Sequence, residues 1–221
     1  HGLYATFMPK PKYGVNGSGM HINMSMSTFD GKNIFTDNND KYKLSKDAYH
    51  FIAGLMEHAK GMTAITNPLV NSYKRLVPGY EAPVHIAWSA TNRSPLIRIP
   101  ATRGEGTRIE LRNPDPAANP YLAIAACLAA GLDGIERKLE VPQSVDYNVF
   151  EISETERIEQ NIERLPDNLY DAVLELKKDK VICDMLGEHI LEKYVEAKLK
   201  EWDNYRKQVS EWEVEEYLYK F

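Results

Sequence analysis

The middle of this 221-residue chain has no lysine: none occurs between Lys74 and Lys138. Every basic side chain there is arginine, namely Arg75, Arg93, Arg98, Arg103, Arg108, Arg112 and Arg137. A guanidinium is a rigid, permanently charged fork that grips carboxylate or phosphate at two points, whereas lysine is a looser point charge. The bias points to anion recognition. The alternative is structural pairing of these arginines with backbone carbonyls or with Glu81, Glu105 and Asp115. Cysteine is nearly absent too. Cys127 and Cys183 are far apart and no Cys-x-x-Cys occurs, which argues against a zinc or redox motif and fits a reducing cytoplasm. The longest apolar run, around Tyr121 to Leu132, is too short to span a bilayer, and no signal peptide is visible. There is no Gly-x-x-x-x-Gly-Lys phosphate loop and no kinase catalytic loop. Nor does a net charge of −5 attract nucleic acid or an anionic membrane. That charge is uneven. Residues 138–221 hold 12 Lys+Arg against 21 Asp+Glu, a net of −9, leaving about +4 on the rest.

What is present centres on Asn16-Gly-Ser-Gly-Met-His-Ile-Asn-Met-Ser-Met-Ser27. A glycine-bracketed loop runs into strict alternation. Side chains on a strand alternate between faces, so His21, Asn23, Ser25 and Ser27 share one face and Met20, Ile22, Met24 and Met26 the other. Gly17 and Gly19 permit positive φ and close approach of a ligand. Arg108-Ile-Glu-Leu-Arg112 alternates as well, with Arg108, Glu110 and Arg112 on one face. If the polar faces of the two strands meet, His21 and Glu110 can share a divalent cation, with arginines around the anion it carries. That chemistry is a ligase or phosphotransferase. The bland alternative is a hairpin with a solvated outer face.

The remaining chain reads as α+β. Residues 3–8 and 20–27 form strands, and Phe29 to Phe35 a hairpin turned at Asp30-Gly31. Ser45 caps a helix with Ala48, Phe51, Ile52, Leu55, Met56, Ala59 and Met62 at helical spacing. His50 and His58 fall off that stripe and are expected on the surface. Asn67 to Pro83 is a long loop whose Tyr73, Leu76, Val77 and Tyr80 supply apolar surface, so an ordered lid is expected. Strands follow at His85–Ser89, Leu96–Ile99 and Arg108–Arg112. Asp115-Pro116 opens the next helix, and Pro120 to Leu132, apolar nearly all round, is expected to be buried. Beyond Pro142 the chain is helical and acidic, with a Ser153–Glu156 capping box and helices over 154–165, 168–178, 180–186 and 188–208. The aromatics Trp202, Trp212, Tyr217, Tyr219 and Phe221 point to docking of the C-terminus. The expected fold is a curved, mainly antiparallel sheet flanked by helices over 1–137, then an all-helical region over 138–221. The start at His1, without methionine and close to the first strand, reads as a fragment or processed product.

These blocks resemble a known family. Lys10-Pro11, then Asn16-Gly-Ser-Gly-Met-His21 and Ser25, is similar to the ATP-binding motif of glutamine synthetase. Asn71 to Pro83, Asn92-Arg-Ser94 and Arg108 to Pro116 resemble further blocks in the same order, and the likeness spans the chain. It is nearest to bacterial type I enzymes of the feedback-inhibited, Gram-positive sort. The resemblance implies ATP-dependent ligation of ammonium to glutamate through γ-glutamyl phosphate, with Mg²⁺ or Mn²⁺. It implies that His21 and Glu110 ligate the metal and that Asn16, Gly17, Arg75 and Arg112 bind glutamate. Arg93, Arg98 and Arg108 would hold phosphates, Arg93 acting catalytically, and Ser25 would lie on the nucleotide. Glu81 would be the lid carboxylate that takes a proton from ammonium. A cytoplasmic homo-oligomer, a dodecamer, is implied, with the N-terminal β-grasp domain, further metal-binding glutamates and a neighbouring subunit's aspartate lying upstream of His1. Inactivity of the isolated 221 residues follows. Neither nucleic acid nor membrane is implied as a direct partner. Three departures stand out: Asn23 in place of a second histidine, Phe150 in place of a tyrosine modified by adenylylation, and Lys12 at a usually apolar position. Alternatives are a γ-glutamyl-polyamine synthetase and a non-catalytic module that binds a transcription regulator.

Overall fold

A central row of alternating strands carries the site, and helices bury its other face. The computed structural model describes residues 1–147 and 152–221, apart from the side chain of Glu154; the expectation attached to Phe150 falls outside them. Among the described residues one sheet has strands in the order β1 (Ile22–Met24), β5 (Ile109–Leu111), β4 (Ile97–Arg98), β3 (Trp88–Ser89). The β1–β5 and β5–β4 pairs are antiparallel, and β4–β3 is parallel. The register places Ser89, Arg98, Glu110 and Asn23 in one row across all four strands. Their neighbours Trp88, Ile97, Leu111 and Ile22 form the next row, and side chains in adjacent rows face opposite sides. One side is polar and chemically dense. The other is core.

That core is built by α1 (Lys46–Glu57), α2 (Ala59–Thr66) and α4 (Pro120–Arg137), together with α6 (Leu169–Lys178) and α7 (Lys180–Leu186). Phe35, Phe51, Ile52, Leu55, Ile97, Ile109 and Leu169 are fully buried in it. Helices α1 and α4 cross at glycines. A Cβ on Gly54 would stand 2.1 Å from the carbonyl oxygen of Ala130, and one on Gly131 would meet the Phe51 ring at 2.1 Å. Ser45 caps α1, its Oγ accepting from the Ala48 N–H. The tight connection at 28–32 also forms, with Gly31 at φ +88° and Ser27 bridged to Asn33.

Several expectations are corrected. Residues 3–8 form no strand, because none of the described residues offers them a neighbouring backbone; Leu3, Tyr4 and Phe7 are exposed. The strand expected at 20–27 is regular only over Ile22–Met24. The single helix read through 45–62 breaks at His58, which ends α1 and begins α2. The helix after the arginine strand starts at Pro120 with Asn119 as its cap, and Asp115 instead closes a turn by accepting from the Ala117 N–H. Nor is α4 buried all round: Tyr121, Ile124 and Leu128 are exposed along one face, since all-round apolarity does not tell which side is covered. The 67–83 loop contains the short helix α3 (Ser72–Arg75).

In the C-terminal region α5 (Glu154–Glu159) is shorter than expected. The strand β6 (Glu163–Arg164) interrupts the otherwise helical stretch and pairs with β2 (His85–Ile86). Both Ser153 and Ser210 form capping boxes, the latter opening α9 (Glu211–Tyr217). Helix α8 (Glu188–Tyr205) packs on α6, where Trp202 stacks on Tyr170. Trp212, Tyr217, Tyr219 and Phe221 stay exposed. Among the described residues no helix is long and apolar enough to cross a membrane.

Candidate active site

Adjacent strands, rather than facing ones, bring the two polar patterns together. Because Asn23 lies opposite Glu110, the side chains of His21, Asn23, Glu110 and Arg112 project on one face. His21 Nδ1 stands 2.9 Å from Glu110 Oε1. Arg98, beside Glu110 in the register, donates to its other oxygen from Nε at 3.1 Å and also from Nη2. The carboxylate is buried and each oxygen has a partner. Arg108 donates through Nε to Asn23 Oδ1 at 3.1 Å, so Asn23 is engaged by an arginine.

Beside this pair lies a cavity of about 370 Å³ lined by Asn16, Gly17, Gly19, His21, Arg75, Tyr80, Glu81, Ala82 and Arg112. Arg75 comes from α3 and is fixed by its bonds to the carbonyls of Asn113, at 2.5 Å from Nη1, and of Arg112, at 3.2 Å from Nη2. Burial lowers its pKa to about 10, so it stays charged at neutral pH. Arg112 is also buried, which pushes its pKa down. It donates to the Pro95 and Glu81 carbonyls, while its Nε has no hydrogen-bond partner among the described residues and lies 3.9 Å from Glu110.

The glycines of the loop serve close approach. Neither Gly17 nor Gly19 has positive φ, contrary to one use expected of them. A Cβ on Gly17 would stand 2.4 Å from the Pro9 carbonyl, and one on Gly19 would stand 2.6 Å from Arg75 Nη2 and 3.2 Å from His21 Nε2. The loop therefore lies flat against the guanidinium.

Burial lowers the His21 pKa, with Arg112 and Arg75 adding to the shift and Glu110 opposing it. The ring is neutral near pH 7, the form that ligates a metal. Imidazole beside carboxylate is a donor set suited to a divalent cation. Among the described residues no group of three or more His, Cys, Asp or Glu is placed to hold a metal ion, and at this cavity His21 and Glu110 are the candidate pair.

Other sequence candidates are placed differently. Ser25 is exposed, on the same face of the chain as His21. Arg93 is exposed on the Asn92–Ser94 turn and does not line the cavity. Arg103 follows the structural alternative, donating to the Tyr42, Pro100 and Thr102 carbonyls, whereas Arg137 donates to Asp133, an acid outside the expected partners.

His58 corrects the surface assignment. It is buried, with Nδ1 2.9 Å from Asp179 and Nε2 3.0 Å from Asp133. His50 is half-buried, its Nδ1 2.8 Å from the Leu139 carbonyl.

Several supporting groups carry no sequence signal of their own. Asn67 donates to the Asn113 carbonyl and to Asp115, and Asn113 donates back to Thr66 and Asn67, fixing the backbone that follows Arg112. Asp146 accepts from the hydroxyls of Ser89, Thr91 and Ser144, and so anchors the turn that carries Arg93. Neither cysteine is reactive by environment. Both are free thiols, and burial pushes Cys127 up to about 12.

Comparison with known proteins gives one result. The sequence model of the glutamine synthetase catalytic domain matches residues 1–217. Glutamine synthetase of Clostridium saccharobutylicum is 59% identical over 221 residues, all of this chain and 50% of that protein. The Thermus thermophilus glutamine synthetase is 58% identical over 218 residues, 99% of this chain and 49% of that protein. A solved structure described as a GmaS/ADP complex superposes with a TM-score of 0.86 at 43% identity, covering 96% of this chain and 49% of the other. The chain thus spans about half the length of the curated relatives it matches.

Proposed function

This chain belongs to the glutamine synthetase catalytic-domain family, and on that premise we propose that the protein carrying it is a glutamate–ammonia ligase. It would join ammonium to the side-chain carboxyl of L-glutamate, with ATP converted to ADP and phosphate. The observation that carries this reading is the conjunction in one cavity of Asn16, Gly17, His21, Arg75, Glu81 and Arg112, with Glu110 against His21.

The division of labour follows from charge. Arg75 and Arg112, buried and cationic, suit the carboxylates of glutamate, while Asn16 and the Gly17 backbone complete the floor. Arg98 and Arg108 would hold phosphate oxygens, joined by Arg93 once its turn swings inward, and Ser25 would contact the nucleotide. Magnesium or manganese, held by His21 and Glu110, would neutralise phosphate charge. The γ-carboxylate attacks the γ-phosphorus of ATP, giving an acyl phosphate and ADP. Ammonium gives a proton to Glu81, and the ammonia so formed attacks the acyl carbon and displaces phosphate. An acyl phosphate hydrolyses in open water, so the Tyr80–Ala82 segment at the cavity edge is a suitable cover.

The relatives named glutamine synthetase reach 59% identity over the whole of this chain, which favours ammonium over the γ-glutamyl-polyamine alternative. An oligomer, expected as a dodecamer in the cytoplasm, belongs to the same reading. It is supported by the exposed apolar residues Leu3, Tyr4, Phe7, Tyr121, Ile124 and Leu128.

The test compares two proteins: the 221 residues alone and a chain of the relatives' full length. γ-Glutamyl transfer from ATP-activated glutamate to ammonium or hydroxylamine is expected only from the longer one. Activity in neither would overturn the ligase reading, and turnover by the 221 residues alone would overturn the expectation that the site needs its other half.

A further inference from the structure

Lys10 is buried, 8% exposed, and among the described residues no carboxylate contacts it. An ammonium so placed needs other compensation. It has two partners. Nζ donates to the Val15 carbonyl and lies 3.7 Å from the centroid of the Tyr80 ring. Val15 leads directly into Asn16 and Gly17 on one wall of the cavity, and Tyr80 stands with Glu81 and Ala82 on another. One positive charge therefore touches the glycine loop and the cover segment at once.

The lysine backbone is fixed independently of its side chain. Its N–H donates to Asn71 Oδ1 at 2.8 Å, and Asn71 Nδ2 donates back to the Lys10 carbonyl at 3.0 Å. Asn71 precedes α3, which delivers Arg75. Pro9, next to Lys10, accepts from the Ser18 N–H at 2.8 Å. Lys10 thus projects its ammonium from a rigid base shared with Arg75 and the glycine loop. By contrast, Glu81 and its neighbours Pro78 and Gly79 are exposed.

We propose that Lys10 is a positioning residue, a cationic clasp that holds the Tyr80 ring and thereby sets where Glu81 stands in the cavity. It acts through Tyr80 and not through contact with the nucleotide. A cation over an aromatic face, away from water, is strong enough to decide between docked and released arrangements of a short segment. Its consequence for catalysis rests on the ligase reading above; the clasp itself does not.

Chymotrypsin provides the test, because cutting after Tyr80 requires that ring to leave the ammonium and enter the protease. In the intact protein, Lys10→Met is expected to raise cleavage after residue 80 about tenfold, with other sites unchanged. Tyr80→Phe, which keeps the aromatic face, is expected to cut at the wild-type rate. Should Lys10→Met fail to fold, Lys10→Gln keeps a donor for Val15 while removing the charge, and the same increase is expected. Unchanged cleavage after Tyr80 in the folded lysine variant would overturn the clasp. In an active enzyme the same variant is expected to raise KM for ammonium several-fold at unchanged KM for ATP. A wild-type protein without ligase activity would sink the ligase reading and leave the proteolysis result standing.

Discussion

His21 Nδ1 and Glu110 Oε1 are 2.9 Å apart although 89 positions separate them in the chain, because β1 and β5 are adjacent and antiparallel. The neutral ring beside a buried carboxylate gives the first prediction. Titrating the protein with ATP in a calorimeter should give binding that requires Mg²⁺ and is lost in His21→Ala. A bound cation should also raise thermal stability in the wild type only. ATP affinity indifferent to both metal and His21 would remove the pair from the metal site.

Asp146 leads to the second. Its Oδ1 accepts from three hydroxyls, 2.9 Å from Ser89, 2.9 Å from Thr91 and 2.7 Å from Ser144, and Ser89 in turn accepts from the Thr91 and Asn92 N–H groups. Asp146→Asn keeps the shape but replaces charge-assisted bonds with neutral ones. Amide exchange over residues 91–94 should rise about tenfold, and in an active enzyme kcat should fall while KM for glutamate holds. A protected 91–94 turn in the variant would show that Asp146 does not position Arg93.

The third concerns pH. Burial works against the His58 cation, but its hydrogen bonds to the Asp179 and Asp133 carboxylates outweigh it and raise its pKa above 6.5. A folded-state pKa above the unfolded one means that this stabilisation is complete below pH 6.5 and is lost as pH rises through the higher folded value. The melting temperature should therefore fall on the alkaline side, by about 2–4 °C for each kcal/mol lost in a chain of this size. His58→Gln should flatten that dependence. An NMR titration of the ring placing its pKa at or below 6.5 would contradict the prediction.

The fourth is steric. A Cβ on Gly54 would lie 2.1 Å from the Ala130 carbonyl, and one on Gly134 would lie 2.1 Å from the His50 carbonyl. Alanine favours helix by about 1 kcal/mol over glycine, yet forcing α1 and α4 apart should cost more. Gly54→Ala and Gly134→Ala are each expected to lose roughly 1–3 kcal/mol in urea unfolding. Equal or greater stability would mean that the helices can separate freely.

Local order determined much of this protein. Period-two alternation alone assigned His21, Asn23, Glu110 and Arg112 to faces of their strands, and the Ser45 and Ser153 caps were readable because capping uses residues within four positions. The cluster of arginines marked the stretch that contributes to the cavity, but not which members line it. Only tertiary structure separated Arg75 and Arg112, which line the cavity, from Arg103 and Arg137, whose donors go to carbonyls and to Asp133. It also buried His58, since the break between α1 and α2 turns the chain and a periodic stripe does not carry through it. The outward side of α4 and the joining of Lys10 to Tyr80 were likewise invisible in one dimension. Spacing along a chain encodes which way a side chain points from its own backbone. What it meets there depends on segments brought in from elsewhere.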